Sequence, residues 1–197
     1  MTDDSTSQKS FPADREVAGP FDESEVSGVR PYVDLGAIKF IPREGLNLRL
    51  EVEEGSGRVV AVALDFNGST LQVQPFAATR SAGLWNDIRS QISEQVLQQG
   101  GTVTEFTGTL GPELLCKIPA MIDGQQSYQD ARFVGVDGPR WFLRGVIAGP
   151  AVTDADQAAY LIELFRDLVV VRGQAPMPPG ELLPLRVPAQ VAGLPSD

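Results

Sequence analysis

The chain has 197 residues, 42% of them hydrophobic, with 26 Asp and Glu against 16 Lys and Arg and a formal net charge of -10. That is enough apolar material for one sizeable core, and too acidic a balance to favour nucleic-acid phosphates or an anionic membrane surface. Histidine is absent and Cys116 is the single cysteine, which removes histidine-based triads, the common zinc ligand sets and an internal disulfide.

Residues 1–28 are polar, acidic and rich in serine, the composition of a disordered leader whose removal leaves stability unchanged. Its functional alternative is a short docking tail carrying a phosphorylated serine. The N-terminus lacks the apolar core of a signal peptide, and no apolar run approaches the roughly 18 residues of a membrane span. A cytoplasmic location is the default expectation.

The body, residues 29–173, reads as a single α+β domain. It is expected to hold a mostly antiparallel, twisted sheet of six to seven strands with two main helices packed on it. Tyr32 to Ile41 reads as an irregular or extended arm. Leu46 to Glu53 alternates strictly, Arg58 to Asp65 has an apolar core, and Asn67-Gly68 marks a hairpin leading to Leu71–Gln74. Arg49, Glu51 and Glu53 share the wet face of the first of these strands. A helix follows over 82–99, with Ser81 as N-cap, Gly100 as stop, and Leu84, Ile88, Ile92 and Val96 along one face. Strands are expected at Val103–Leu110, Leu114–Ile122 and Tyr128–Val136, with turns at Gly111-Pro112, Asp123-Gly124 and Asp137-Gly138.

The longest apolar run, Trp141 to Ala151 broken by Arg144, is bounded by Gly and Pro and fits a central strand covered on both faces. A second helix opens at Thr153, where Thr153 and Asp156 form a capping box and Asp154 adds favourable charge. The pair Asp154 and Asp156 is explained by that helix start without a metal. Ala158, Leu161, Ile162, Phe165 and Leu168 supply its buried stripe. From Gln174 the chain is rich in proline, yet Met177, Leu182, Leu183, Leu185 and Val187 are too apolar for a free linker. Residues 174–197 are therefore expected to form an arm docked on the body to about Pro188, with loose final residues.

Four stretches are familiar in wording: Tyr32–Gly36, Phe76–Trp85, Gly138–Val146 and Met177–Leu185. Together they resemble an actinobacterial family of small cytoplasmic proteins classed only as a domain of unknown function, over about Gly28 to Pro188. The resemblance implies an actinobacterial source and a fold without a cofactor motif, and it transfers no catalytic residue. The order of elements also looks like the α/β sandwich of the photosystem extrinsic PsbP-like proteins, a likeness of fold that does not fix function.

Neither a Gly-rich phosphate loop with its lysine nor a Gly-x-Ser-x-Gly elbow is present. Cys116 shares a strand face with Leu114 and Ile118, as a buried small hydrophobe would. Arg80 stands at a helix start, where the macrodipole disfavours it, so Arg80, Ser81 and Gly83 form a candidate anion site. That anion could be a phosphate, a ligand carboxylate or an acidic side chain from elsewhere in the chain. Arg140 and Arg144 flank Trp141 as a candidate partner-facing patch, with core packing as the alternative for the tryptophan.

These features point first to a non-enzymatic binding or regulatory module with a protein partner. A small-anion or metabolite binder using Arg80 is the alternative, and a cofactor-free enzyme using arginine and carboxylates is the third. No cofactor, metal, nucleic acid or membrane is expected.

Overall fold

The computed structural model describes residues 7–189. Along the chain lie α1 (Arg15–Ala18), β1 (Phe21–Asp22), β2 (Val33–Asp34), β3 (Ile38–Phe40), β4 (Asn47–Val52), β5 (Val59–Phe66) and β6 (Ser69–Ala77). Then come α2 (Trp85–Gln98), β7 (Thr102–Gly108), β8 (Gly111–Ile122), β9 (Gln125–Asp137), β10 (Trp141–Ala148), α3 (Ala155–Arg166) and β11 (Val169–Val170). The large sheet is antiparallel throughout, in the order β4-β5-β6-β10-β9-β8-β7. The apolar run at 141–148 is thus its middle strand. A smaller sheet, β1-β11-β3-β2, holds the one parallel pair among the described strands, Phe21 and Asp22 beside Val169 and Val170. The protein is α+β.

Strand alternation sends β10 to both faces. Leu143, Gly145 and Ile147 look toward α3 and the small sheet, where Leu161, Leu164 and Phe165 meet Ile38, Phe40, Val134 and Val170 in the main core. Phe142, on the opposite face, stacks on Trp85 of α2 with ring centres 5.8 Å apart. There Val96 and Ile92 close a second cluster over Leu114, Cys116 and Phe133. The two helices therefore sit on opposite faces of the sheet. Each approach depends on a missing side chain. A Cβ on Gly135 would lie 2.4 Å from the Trp85 ring, and one on Gly145 3.0 Å from the Phe165 ring. Burying each such aromatic contributes roughly 2–3 kcal/mol before ordering costs.

Several element ends fall elsewhere than local signals suggest. Asp154, not Thr153, caps α3, accepting from the backbone N–H groups of Asp156 and Gln157 at 3.0 and 3.1 Å. Gly111-Pro112 opens β8, because the turn lies two residues earlier, at Thr109-Leu110 inside the Gly108–Gly111 pair. β9 begins at Gln125 rather than Tyr128; its first residues are polar on both sides and exposed, so no hydrophobic alternation announces them.

Residues 7–28 correct the expectation of a disordered leader. The buried Arg15 donates to both Glu25 carboxylate oxygens, at 2.8 and 2.6 Å, and lies over the Trp141 ring. Asp22 accepts from Trp141 Nε1 at 2.9 Å, and Phe21 joins the small sheet. Composition misleads here because these charges neutralise one another against the body instead of facing water. Residues 1–6 lie outside the described part.

The C-terminal arm runs along the end of β6. Pairing of β5 with β6 stops at Val73, leaving the edge of Pro75–Ala77 open. The arm fills it: Leu183 N–H donates to Pro75 O at 2.9 Å and Ala77 N–H to Glu181 O at 2.8 Å. Leu183 is fully buried, whereas Val187 is half exposed. The expected loose end falls largely outside the described residues.

Candidate functional site: an arginine cleft

The helix start that suggested an anion site is already filled by the protein's own carboxylate. α2 begins at Trp85, with Leu84 at the cap position and no capping side chain of its own. Asp137, at the end of β9 and buried, accepts from Leu84 N–H at 2.7 Å, Trp85 N–H at 3.4 Å and Ser10 N–H at 2.9 Å. Burial pushes its carboxyl above the ordinary range, and these backbone donors pull the other way. Ser81 is exposed and caps nothing. Gly83 is a packing position: a Cβ there would stand 2.6 Å from Asp137 Oδ2 and 2.7 Å from the Lys9 backbone. The three-residue site Arg80, Ser81, Gly83 therefore does not exist as a unit.

The patch of Arg140, Trp141 and Arg144 also comes apart. Trp141 is fully buried under the leader. Arg144 points to the opposite face of β10, bonds Gln74 and lies 5.7 Å from the centre of the Phe76 ring. Burial lowers its pKa. Alternation along a strand makes the separation inevitable, since residues 141 and 144 cannot share a face.

Arg80 and Arg140, one from each dissolved group, meet in a single open cleft of about 620 Å³. Arg80 comes from the link after β6, Arg140 from the turn before β10. Arg172, just beyond β11, joins them, and Asp22, Glu23 and Ser24 of the leader form the facing wall. None of the three arginines has an ion-pair partner among the described residues, whereas seven other arginines of the chain do. Arg172 spends one guanidinium nitrogen on Ala175 O at 3.1 Å, and its Nε is buried without a partner. Desolvation, reinforced by the Arg140 charge, lowers its pKa.

The acidic wall is largely satisfied from within. Asp22 accepts from Trp141 and from the Ser24 backbone and hydroxyl, and Glu23 pairs with Lys39 at 3.1 Å. Burial pushes the Asp22 carboxyl up, but the Ser24 and Trp141 hydrogen bonds and the Arg15 charge outweigh it, so its pKa is lowered. The cleft thus presents unspent donors and few unspent acceptors. Nothing in the sequence signalled Arg172, Asp22, Glu23 or Ser24, because they reach the cleft from parts of the chain far apart.

The matching pattern across the chain is that of a family described as a protein of unknown function (DUF3710), over residues 19–193. The chain belongs to the DUF3710 family. No curated protein matches it. The family match takes in Asp22, Arg80, Arg140 and Arg172, so the whole cleft lies inside it.

Elsewhere, Glu113 is fully buried against Arg132, with Oε2 accepting at 2.6 Å and Oε1 without a partner. Burial raises its pKa against the pull of that guanidinium. Neither Glu113 nor Asp137 lines the arginine cleft, so neither carboxylate of raised pKa meets these arginines; the carboxylate beside them, Asp22, is shifted downward. Arg49, on the wet face of β4, pairs with Asp65. Cys116 is buried and burial raises its pKa. Among the described residues no group of three or more Cys, Asp and Glu is placed to hold a metal ion, and no helix is long and apolar enough to cross a membrane.

Proposed function

We propose that this chain is a cytoplasmic binding module for small anions, and that Arg80, Arg140 and Arg172 hold the ligand. One observation carries the reading: three guanidiniums from separate segments line one cleft without carboxylate partners among the described residues, in a chain with a surplus of acids. The net charge of -10 does not oppose it, because acids farther than about 8 Å are largely screened at physiological salt. Asp137 already occupies the helix N-terminus, so the ligand belongs on the arginines alone.

Isotope-labelled protein titrated with phosphate and with citrate should show saturable shifts at the amides of Arg140 and Arg172–Gln174. Because hydrogen bonds to charged groups contribute roughly 1.5–3 kcal/mol, Arg140→Gln with Arg172→Gln should weaken binding by at least about tenfold. Shifts that never saturate, or that survive in the double variant, would reject the reading.

A protein partner is the second reading, favoured by a different place. The β8–β9 hairpin exposes Met121 at 66%, Ile122 at 46% and Tyr128 at 58%, and Met121 and Tyr128 share a hollow with Gln99 and Gly100 just after α2. Beyond Lys117, β8 has no β7 partner, so this tip has a free edge as well. A partner recovered by crosslinking in native cells should be lost from a Met121→Glu, Ile122→Glu variant; unchanged recovery would remove the hairpin from consideration.

A further inference from the structure

Resting on the anion reading, we infer that the arginine cleft is built for the dianionic phosphate of a small phosphomonoester, in preference to a sulfate ester or a monocarboxylate. The charge of the cleft favours a dianion. Among the described residues three guanidiniums line the cleft, the Glu23 carboxylate is neutralised by Lys39, and Asp22 remains as the one other acid. The arginines outnumber the remaining carboxylate by two, which a dianion balances and a monoanion does not.

Donor geometry favours phosphate as well. Guanidinium forks match the tetrahedral array of phosphate oxygens, each able to donate twice, where a single planar carboxylate accepts one fork fully. Arg172 holds a buried, unpaired Nε beside this space. The turn next to it is unobstructed, since a Cβ on Gly173 would meet nothing within 4 Å, so a ligand can approach the backbone there. The size of the cleft favours an ester over the free ion. An open cleft of about 620 Å³ is roomier than one phosphate needs, and suits a small ester of it.

The test uses phenyl phosphate and phenyl sulfate, which share a ring and differ in the second ionisation. A phosphomonoester loses its second proton near pH 6, so its dianion fraction rises about tenfold between pH 5 and pH 7. The charged groups facing the ligand are Asp22, Glu23, Arg80, Arg140 and Arg172, with Lys39 behind Glu23. The chain has no histidine, and phenyl sulfate stays a monoanion across that interval, so any change in the protein itself shows with both esters. The difference between the two pH profiles therefore reports on the ligand.

Calorimetric titration of the full chain should give phenyl phosphate about tenfold tighter at pH 7 than at pH 5, and phenyl sulfate weaker and flat. The phenyl phosphate signal should vanish in Arg140→Gln, Arg172→Gln. That variant breaks no ion pair of the described residues, and its circular dichroism should match the parent. An exposed single change, Arg80→Gln, gives a milder second check, with affinity lowered and the pH profile kept. Equal and pH-independent binding of both esters would overturn the phosphomonoester inference and leave the anion reading intact. Binding of neither ester, with phosphate and citrate also silent, would overturn both.

Discussion

Removing residues 1–27 is expected to lower the melting temperature by roughly 6–20 °C. The deletion uncovers Trp141, frees the outer edge of β11, and takes away the Ser10 backbone that pairs with Asp137. Losing that much buried apolar surface should cost about 3–5 kcal/mol, and a domain of this size loses roughly 2–4 °C per kcal/mol. Thermal denaturation followed by tryptophan fluorescence measures it directly. A truncated chain that melts like the parent would restore the leader to a dispensable tail.

Acid offers a gentler probe of the same contact. The pKa of Asp22 is depressed in the folded state, so its contribution is present above the usual Asp value near 3.8 and is lost as pH falls through the folded pKa. Trp141 fluorescence is therefore expected to change below about pH 4, and to change less in Asp22→Asn.

The second large effect is expected at the other end of the chain. Deleting residues 181–197 removes Leu183 from the core and reopens the Pro75–Ala77 edge. Leu183→Ala alone should cost about 2–5 kcal/mol, the range for a buried leucine. The deletion should cost more and add binding of an apolar dye, because an exposed strand edge invites association. If the deleted protein stays soluble with an unchanged melt, the leucines of the arm become candidates for a partner-binding peptide.

The sequence disclosed those features whose causes are local. Asn67-Gly68 makes its hairpin because both residues sit at positive φ, 49° and 79°, which that dipeptide tolerates. The Leu161, Ile162 and Phe165 stripe meets the core because one helical turn sets its spacing. The central position of β10 followed from an apolar run with punctuation at both ends. What escaped was the work of distant residues. No local pattern reveals that Asp137 caps α2 from another strand, or that Arg15 and Glu25 neutralise each other beside Trp141. The cleft was half legible. Arg80 and Arg140 stood out separately, each for the wrong neighbours, and only the topology brings them to Arg172.

The borrowed cap on α2 also couples parts of the chain that are far apart in sequence. The carboxylate that satisfies Leu84 N–H lies 53 residues downstream, and the Ser10 amide it also binds lies 127 residues upstream. With no capping side chain of its own, the first turn of α2 depends on a carboxylate held in place by β9, and that same carboxylate holds the leader. Amide hydrogens at Leu84 and Trp85 should accordingly exchange with solvent only through openings that also release the leader, tying a helix terminus, a strand end and the N-terminal segment into one cooperative unit.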